Sequence, residues 1–265
     1  MSELLVEDGL WELVEPLLPT PKPRRFRYPG RKPLDNRGAL TGILFILKTG
    51  LPWNDLPREM GCGSGAACWV RLHEWHRLGV WSALHAILLA ELRYADKIDW
   101  SRSAVDATTI RALCGGDKTG KTPTDRGRKG TKEHLMTDGN GIPLAAHATA
   151  ANRHDITQLK ALVEEVPAIT GKPGQPRRKP EALLADRAYD SQPHREWLWE
   201  RGIIPFLAKR GQEHGSGLGA YRYVVERTFA WLKGFRRLRL RFERSAFMHE
   251  AALSLVMCIV CFRHL

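Results

Sequence analysis

Several features that define common protein classes are missing from this sequence of 265 residues. The longest uncharged apolar run covers residues 251–262, twelve positions, whereas a helix that crosses a bilayer needs about 20. The first residues do not form a basic segment followed by an apolar one, so no secretory signal is expected. The five cysteines are odd in number and scattered, which argues against a disulfide framework. These absences predict a cytoplasmic protein with no membrane partner.

Negative charge is also scarce relative to positive charge. Lys and Arg number 41 against 29 Asp and Glu, which gives a formal net charge of +12. A protein this basic is suited to bind a polyanion, and nucleic acid is the polyanion that fits a chain without a membrane segment. The hydrophobic content of 43% is sufficient for a packed core, so a disordered basic tail is not expected. The charge therefore predicts a folded protein that binds nucleic acid.

Residues 1–100 have the apolar periodicity of short helices. Helices are expected at about 10–18, 36–50, 64–77 and 80–93. A basic arm at 22–37 precedes the second of them, and this combination suggests a helix-turn-helix-like DNA-binding domain. Residues 64–77 would be its recognition helix, with Arg71 as a DNA contact. A helical packing domain with a solvated basic loop explains the same pattern equally well.

After residue 100 the pattern changes to short apolar runs bounded by turn residues, which predict strands. Strands are expected at 103–106, 133–137, 143–150, 182–186 and 203–207, with helices at about 155–166, 191–201, 221–238 and 249–262. The segment from Asp138 to Gly141 is typical of a hairpin turn. The order predicts an α/β domain over 101–265, a mixed sheet flanked by helices, preceded by the all-α domain over 1–100.

Three acidic residues occupy positions where chemistry is plausible. Asp106 and Asp186 each close an apolar strand-like run, and adjacent strands would bring the two carboxylates side by side. Neighbouring carboxylates repel each other unless divalent cations lie between them, and paired cations of this kind catalyse phosphoryl transfer. Glu226 lies in a predicted helix on the same face as Arg222 and Lys233. Taken alone, Arg222 and Glu226 fit a surface ion pair at least as well.

The same residues resemble a known family. Asp106, the segment from Asp186 to Asp190, and Arg222-x3-Glu226-x6-Lys233 resemble the catalytic blocks of DDE transposases from bacterial insertion sequences, specifically the insertion-sequence-five group. Residues 8–81 resemble the helical domain that precedes the catalytic domain in that group. One position departs from the pattern, because Gly219 stands where related transposases often have Tyr.

The resemblance implies a ribonuclease-H-like fold in which Asp106, Asp186 and Glu226 bind two Mg²⁺ ions, for which Mn²⁺ would substitute. It implies an enzyme that binds the terminal inverted repeats of an insertion sequence, cleaves the DNA at its ends and transfers the 3′-hydroxyl ends to target DNA. The partner would be double-stranded DNA, held by a homodimer because two ends must be paired. The residues expected to contact DNA are Arg71, Lys129, Lys132, Arg187, Tyr189, Arg222, Lys233, Arg236 and Arg237.

Two other functions remain open at this point. One is a catalytically silent DNA-binding protein descended from a transposase, and the presence of all three acids argues against it. The other is a metal-dependent nuclease that cuts without joining. A helical reader of terminal repeats would argue against that alternative, since defined ends matter only for mobilising an element.

Overall fold

The computed structural model describes residues 5–20, 26–27, 33–209 and 219–265, with 219–222 described as helix backbone only. Four helices precede the sheet: α1 (Asp8–Val14), α2 (Asn36–Thr49), α3 (Gly65–Arg77) and α4 (Val80–Tyr94). Helix α2 begins where the Asp35 carboxylate accepts a hydrogen bond from Gly38 N at 2.7 Å, and it ends at Gly50, whose φ of 78° is left-handed. Ser64 caps α3 in the same way. The predicted N-terminal helices are therefore confirmed.

Six strands form one mixed sheet: β1 (Ser103–Arg111), β2 (Gly120–Lys121), β3 (Lys129–Asp138), β4 (Pro143–Ala150), β5 (Ala182–Ala185) and β6 (Ile204–Leu207). The order is β2-β3-β1-β5-β6, with β4 also paired to β3. Strand β3 is antiparallel to β1 and β4, while β5 is parallel to β1 and β6 is parallel to β5. The remaining helices are α5 (Leu159–Glu165), α6 (Gln192–Glu200), α7 (Gly219–Lys233) and α8 (Ala246–Phe262).

Among the element boundaries that differ from the sequence prediction, those of β1, β3 and α7 matter most for the site. Strand β1 continues to residue 111, so Asp106 lies in the middle of a strand and not at its end. Strand β3 begins at Lys129, four residues earlier than expected, because it pairs along the whole length of β1. Helix α7 ends at Lys233 and not at 238, since Gly234 follows and Phe235 has an extended backbone before a separate 3-10 turn at 236–238.

Helix α8 joins the helical region to the sheet. It packs against α3 and α4 on one side and against β4 and α7 on another. Its side chains are buried along nearly the whole length, and Cys258 Sγ donates to Trp81 O at 3.3 Å. The buried residues of 1–100 and of 101–265 thus belong to one hydrophobic core. No helix in the described stretches is both long and apolar enough to cross a membrane.

Candidate active site

Two carboxylates meet at the centre of the sheet. In the parallel pairing of β1 with β5, Ser103 is level with Leu183 and Ala104 with Leu184. Asp186 directly follows β5 with an extended backbone, so the same register places it level with Asp106. Neighbouring strands are about 4.8 Å apart and level side chains share a face. Asp106 and Asp186 therefore lie side by side on one face, as the sequence predicted.

The local backbone fixes the direction of each carboxylate. Asp186 Oδ1 accepts a hydrogen bond from Ala188 N at 2.8 Å and caps a 3-10 turn at Arg187–Tyr189. Asp106 Oδ1 accepts from Ala107 N at 2.7 Å. Both aspartates are half-buried, which leaves them within reach of solvent and of a ligand. The arrangement offers hard oxygen donors on a rigid support.

An ion pair holds the far end of the loop that begins at Asp186. Arg195 on α6 binds Asp190 Oδ1 through NH2 at 2.6 Å and through Nε at 2.9 Å. The same guanidinium donates to Leu207 O at 2.7 Å on β6. The pair therefore ties the loop to the edge of the sheet. Sequence reasoning missed Arg195, because its i+5 spacing from Asp190 crosses a loop and gives no periodic signal.

Helix α7 brings Glu226 to the same side of the sheet. The helix packs against β1 and β3 and touches β5. Thr228 Oγ1 donates to Gly141 O at 2.5 Å in the β3–β4 turn, and Lys233 Nζ donates to Thr108 Oγ1 at 2.6 Å on β1. Because Thr228 lies about 200° around the helix from Glu226, the Glu226 flank faces away from that turn. Glu226 is exposed on this flank.

Asp106 and Asp186 are placed to bind a divalent metal ion, whereas Glu226 does not lie close enough to complete the site with them. Carboxylate oxygens are the ligands that Mg²⁺ prefers, and Asp106 and Asp186 supply them from adjacent strands. Within the described ranges, however, no three His, Cys, Asp or Glu side chains lie close enough together to hold a metal ion. Glu226 thus lies on the correct flank without being gathered with the two aspartates.

Several residues expected to contact DNA are used inside the protein. Tyr189 is 1% exposed and packs in the core, so it presents no surface to a duplex. Lys132 Nζ pairs with Asp155 Oδ1 at 2.8 Å, which neutralises its charge. Lys233 is bound to Thr108, as described above. These internal contacts do not support a DNA contact by Tyr189 or Lys132, and for both residues that role stays a prediction.

Arg237 and Arg71, which were also expected to contact DNA, each form an ion pair inside the protein. Arg237 is 6% exposed and donates to Glu243 Oε1 at 2.7 Å, which favours a role in the core, so its DNA contact stays a prediction. Its burial follows from the early end of α7, which removes it from the face that it would have shared with Glu226. Arg71 pairs with Glu74 one turn along α3 at 3.1 Å and is half-buried.

The remaining expected contacts have different surroundings. Lys129 and Arg236 are exposed, and Arg187 is half-buried in the 3-10 turn after Asp186. The Arg222 side chain lies outside the described residues. Exposed cations gather where β1 ends, because Ala112 bridges to Arg241 on one side and its N–H donates to Lys129 O on the other. We call this the β1-end basic surface: Arg126, Arg128, Lys129, Arg239 and Arg244.

A buried arginine holds the two halves of this surface together. Arg241 is 0% exposed and donates to Thr131 Oγ1 at 2.7 Å, to Arg244 O at 2.9 Å and to Glu243 O at 2.9 Å. Burial lowers the pKa of its guanidinium, and nearby acidic groups oppose that shift. In the sequence Arg241 is one of several arginines after α7, so nothing distinguishes it from its exposed neighbours.

The chain has clear similarity to known proteins. Residues 101–261 match the family described as "Transposase DDE domain", and residues 6–85 match the family described as "Putative transposase of IS4/5 family". The chain belongs to the DDE transposase family. The predicted resemblance is confirmed, and so is the expected fold, a ribonuclease-H-like mixed sheet flanked by helices with a helical region before it.

Individual relatives come from insertion sequences. The transposase is 56% identical over 151 residues to the "Putative transposase for insertion sequence element IS402" of Burkholderia cepacia, which covers 57% of this chain and 72% of that protein. It is 62% identical over 123 residues to an IS402 protein of 16.2 kDa from the same organism, covering 46% of this chain and 84% of the relative. A transposase for IS1106 from Neisseria meningitidis serogroup B is 27% identical over 128 residues, 44% of this chain and 39% of the relative.

Among solved structures, a pre-cleavage Mos1 transpososome aligns over 92% of this chain and 82% of its own chain. The sequence identity is 11% and the TM-score 0.30, values too low to support an argument about the fold or the site.

Proposed function

We propose that this DDE transposase binds the terminal inverted repeats of an insertion sequence, cleaves the DNA at the ends and transfers the resulting 3′-hydroxyl groups to target DNA. The observation that carries the proposal is the level placement of Asp106 and Asp186 on adjacent parallel strands, with the Glu226 flank of α7 turned towards them. Family membership supports the reaction class.

In this proposal Asp106 and Asp186 hold Mg²⁺ ions, two in number, with Glu226 as the third ligand and Mn²⁺ as a substitute. Such ions supply charge stabilisation for the attacking and leaving oxygens of an in-line phosphoryl displacement. Backbone N–H groups orient these carboxylates: Ala188 N donates to Asp186 Oδ1, and Ala107 N donates to Asp106 Oδ1. Glu226 reaches the aspartates by a change in its own side-chain conformation.

The duplex is held by the β1-end basic surface and by Arg236. These cations are exposed, and they flank the part of β1 that continues beyond Asp106. Each phosphate that such a group neutralises makes the slope of log K against log salt concentration more negative by about 0.9. Pairing of two DNA ends calls for two copies of the chain, so the active species on double-stranded DNA is a homodimer.

The test is metal-dependent cleavage and joining of DNA that carries the element's ends. Wild-type protein is compared with Asp186→Asn and with a matched control, Asp96→Asn. Asp96 is exposed in the turn after α4 and has a φ of 58°, a conformation that Asn tolerates. We expect both activities in the wild type and the control, and neither in Asp186→Asn, with DNA binding retained in all three.

Other outcomes identify the two alternative functions. Cleavage without joining would indicate a metal-dependent nuclease. Specific binding of the ends without either activity in the wild type would indicate a DNA-binding descendant of a transposase.

A further inference from the structure

A buried group of polar side chains lies beneath the C-terminal end of α7. Glu133 on β3 is 2% exposed, and its Oε1 accepts a hydrogen bond at 2.8 Å from Nε2 of His249 on α8, which is 1% exposed. A carboxylate at this depth is costly unless partners compensate it. The cluster therefore joins β3 and α8 at a point where α7 crosses the sheet.

Lys233, the last residue of α7, extends to the same place. Its Nζ donates to Thr108 Oγ1 at 2.6 Å, and Thr108 is level with Glu133 in the β1–β3 register. Level residues share a face, so Glu133 and Thr108 both point towards α7. Burial lowers the pKa of Lys233, and the negative charge of Glu133 opposes that shift. Glu133 thus helps to keep the ammonium charged where it contacts β1.

This contact determines where Glu226 lies relative to Asp106. Thr108 follows Asp106 by two residues on β1, so the two side chains point to the same face. Glu226 precedes Lys233 by seven residues, about two helical turns, and lies on the same flank of α7. A rotation or a shift of α7 that broke the contact with Thr108 would carry Glu226 away from the aspartates.

We propose that Glu133 is a positioning residue: with Thr108 it holds Lys233 against β1 and thereby fixes the flank of α7 from which the Glu226 side chain reaches Asp106 and Asp186. The inference rests on the proposed function, because it assigns a purpose to the place of Glu226. It also changes the role of Lys233, whose ammonium acts inside the protein and not on a DNA phosphate.

The experiment uses the full chain and four variants. Glu133→Gln removes the charge, Thr108→Val removes the acceptor of Lys233 without changing the shape, and Thr108→Ser retains a hydroxyl. The control is His134→Gln on the same strand: His134 is 0% exposed but points to the opposite face, where it binds Thr149 Oγ1 at 2.8 Å. Each protein is compared by hydrogen exchange of amides 226–233 without metal or DNA, by the Mg²⁺ concentration for half-maximal cleavage, and by DNA affinity in EDTA.

We expect faster exchange in α7 and a half-saturating Mg²⁺ concentration about 10–100-fold higher for Glu133→Gln and Thr108→Val, the range typical of residues that orient metal ligands. DNA affinity should not change. Thr108→Ser and His134→Gln should behave like the wild type. If Glu133→Gln fails to fold, Thr108→Val still tests the inference. This variant is expected to fold, because it only replaces a half-buried hydroxyl with a methyl group of similar size.

Two results would overturn the inference. One is unchanged α7 exchange and an unchanged Mg²⁺ dependence in Thr108→Val. The other is weaker DNA binding in Thr108→Val and Glu133→Gln with unchanged exchange, which would make Lys233 a DNA contact. Absence of cleavage by the wild type refutes the proposed function instead, and the exchange measurement separates that failure from a failure of the Lys233 contact.

Discussion

Replacing Arg237 by Met tests whether this arginine serves the core or the DNA. The guanidinium donates to Glu243 Oε1 at 2.7 and 3.0 Å and to Leu51 O at 2.9 Å, and the two charged side chains are 7% and 11% exposed. Removing Arg237 leaves the Glu243 carboxylate buried with only a long contact from Trp53 Nε1 at 3.5 Å, which costs about 3–5 kcal/mol. For a chain of this length each kcal/mol lowers Tm by about 2–4 °C, so a fall of about 6–20 °C is expected.

Thermal unfolding followed by circular dichroism measures the effect. The control Arg236→Met lies next to it in the same turn but is exposed, so its free energy of unfolding should change by less than about 0.5 kcal/mol. Adding Glu243→Gln to Arg237→Met should restore part of the lost stability, since the orphaned charge is then gone. An unchanged Tm in Arg237→Met, together with a smaller salt slope for DNA binding at low temperature, would refute the reasoning and restore the DNA contact.

Two further predictions concern charge. Lys129→Ala should make the slope of log K against log salt concentration less steep by about 0.9. Lys132→Ala should leave the slope unchanged, because Asp155 already neutralises that ammonium. Equal effects of the two variants in a filter-binding titration would contradict this prediction. Burial raises the pKa of Asp138 from 3.8 to about 7, so the folded state binds this proton more tightly than the unfolded chain. Urea titrations give the free energy of unfolding of the wild type minus that of Asp138→Asn. This difference should fall as the pH rises from about 4 to about 7. A difference that stays constant or rises with pH would contradict the raised pKa of Asp138.

The parts of the fold that depend on local patterns were predictable. The cap residue before α3, the left-handed Gly50 after α2 and the hairpin turn that begins at Asp138 each act within a few residues. Apolar runs that end in acids likewise indicated Asp106 and Asp186, because strand burial is visible in the sequence itself.

Long-range partners were not predictable from the same patterns. Arg237 and Arg236 are neighbours with the same charge, yet one is buried against Glu243 and the other is exposed. The difference arises because α7 ends at Lys233 and the following turn meets the loop after α2, where Arg237 donates to Leu51 O. Glu133 illustrates the same limit: its partners come from α7 and α8, about 100 residues or more along the chain, and no spacing rule connects them.

The position of α8 has a consequence for synthesis. This helix leaves the ribosome after the other described elements, yet it supplies apolar surface on which α3 and α4 pack. A nascent chain that has emerged only as far as α7 does not yet contain α8. Helices α3 and α4 then lack the packing that α8 provides. The fold therefore couples maturation of the first hundred residues to the synthesis of α8, and chains cut short before α8 should be substrates for proteolysis.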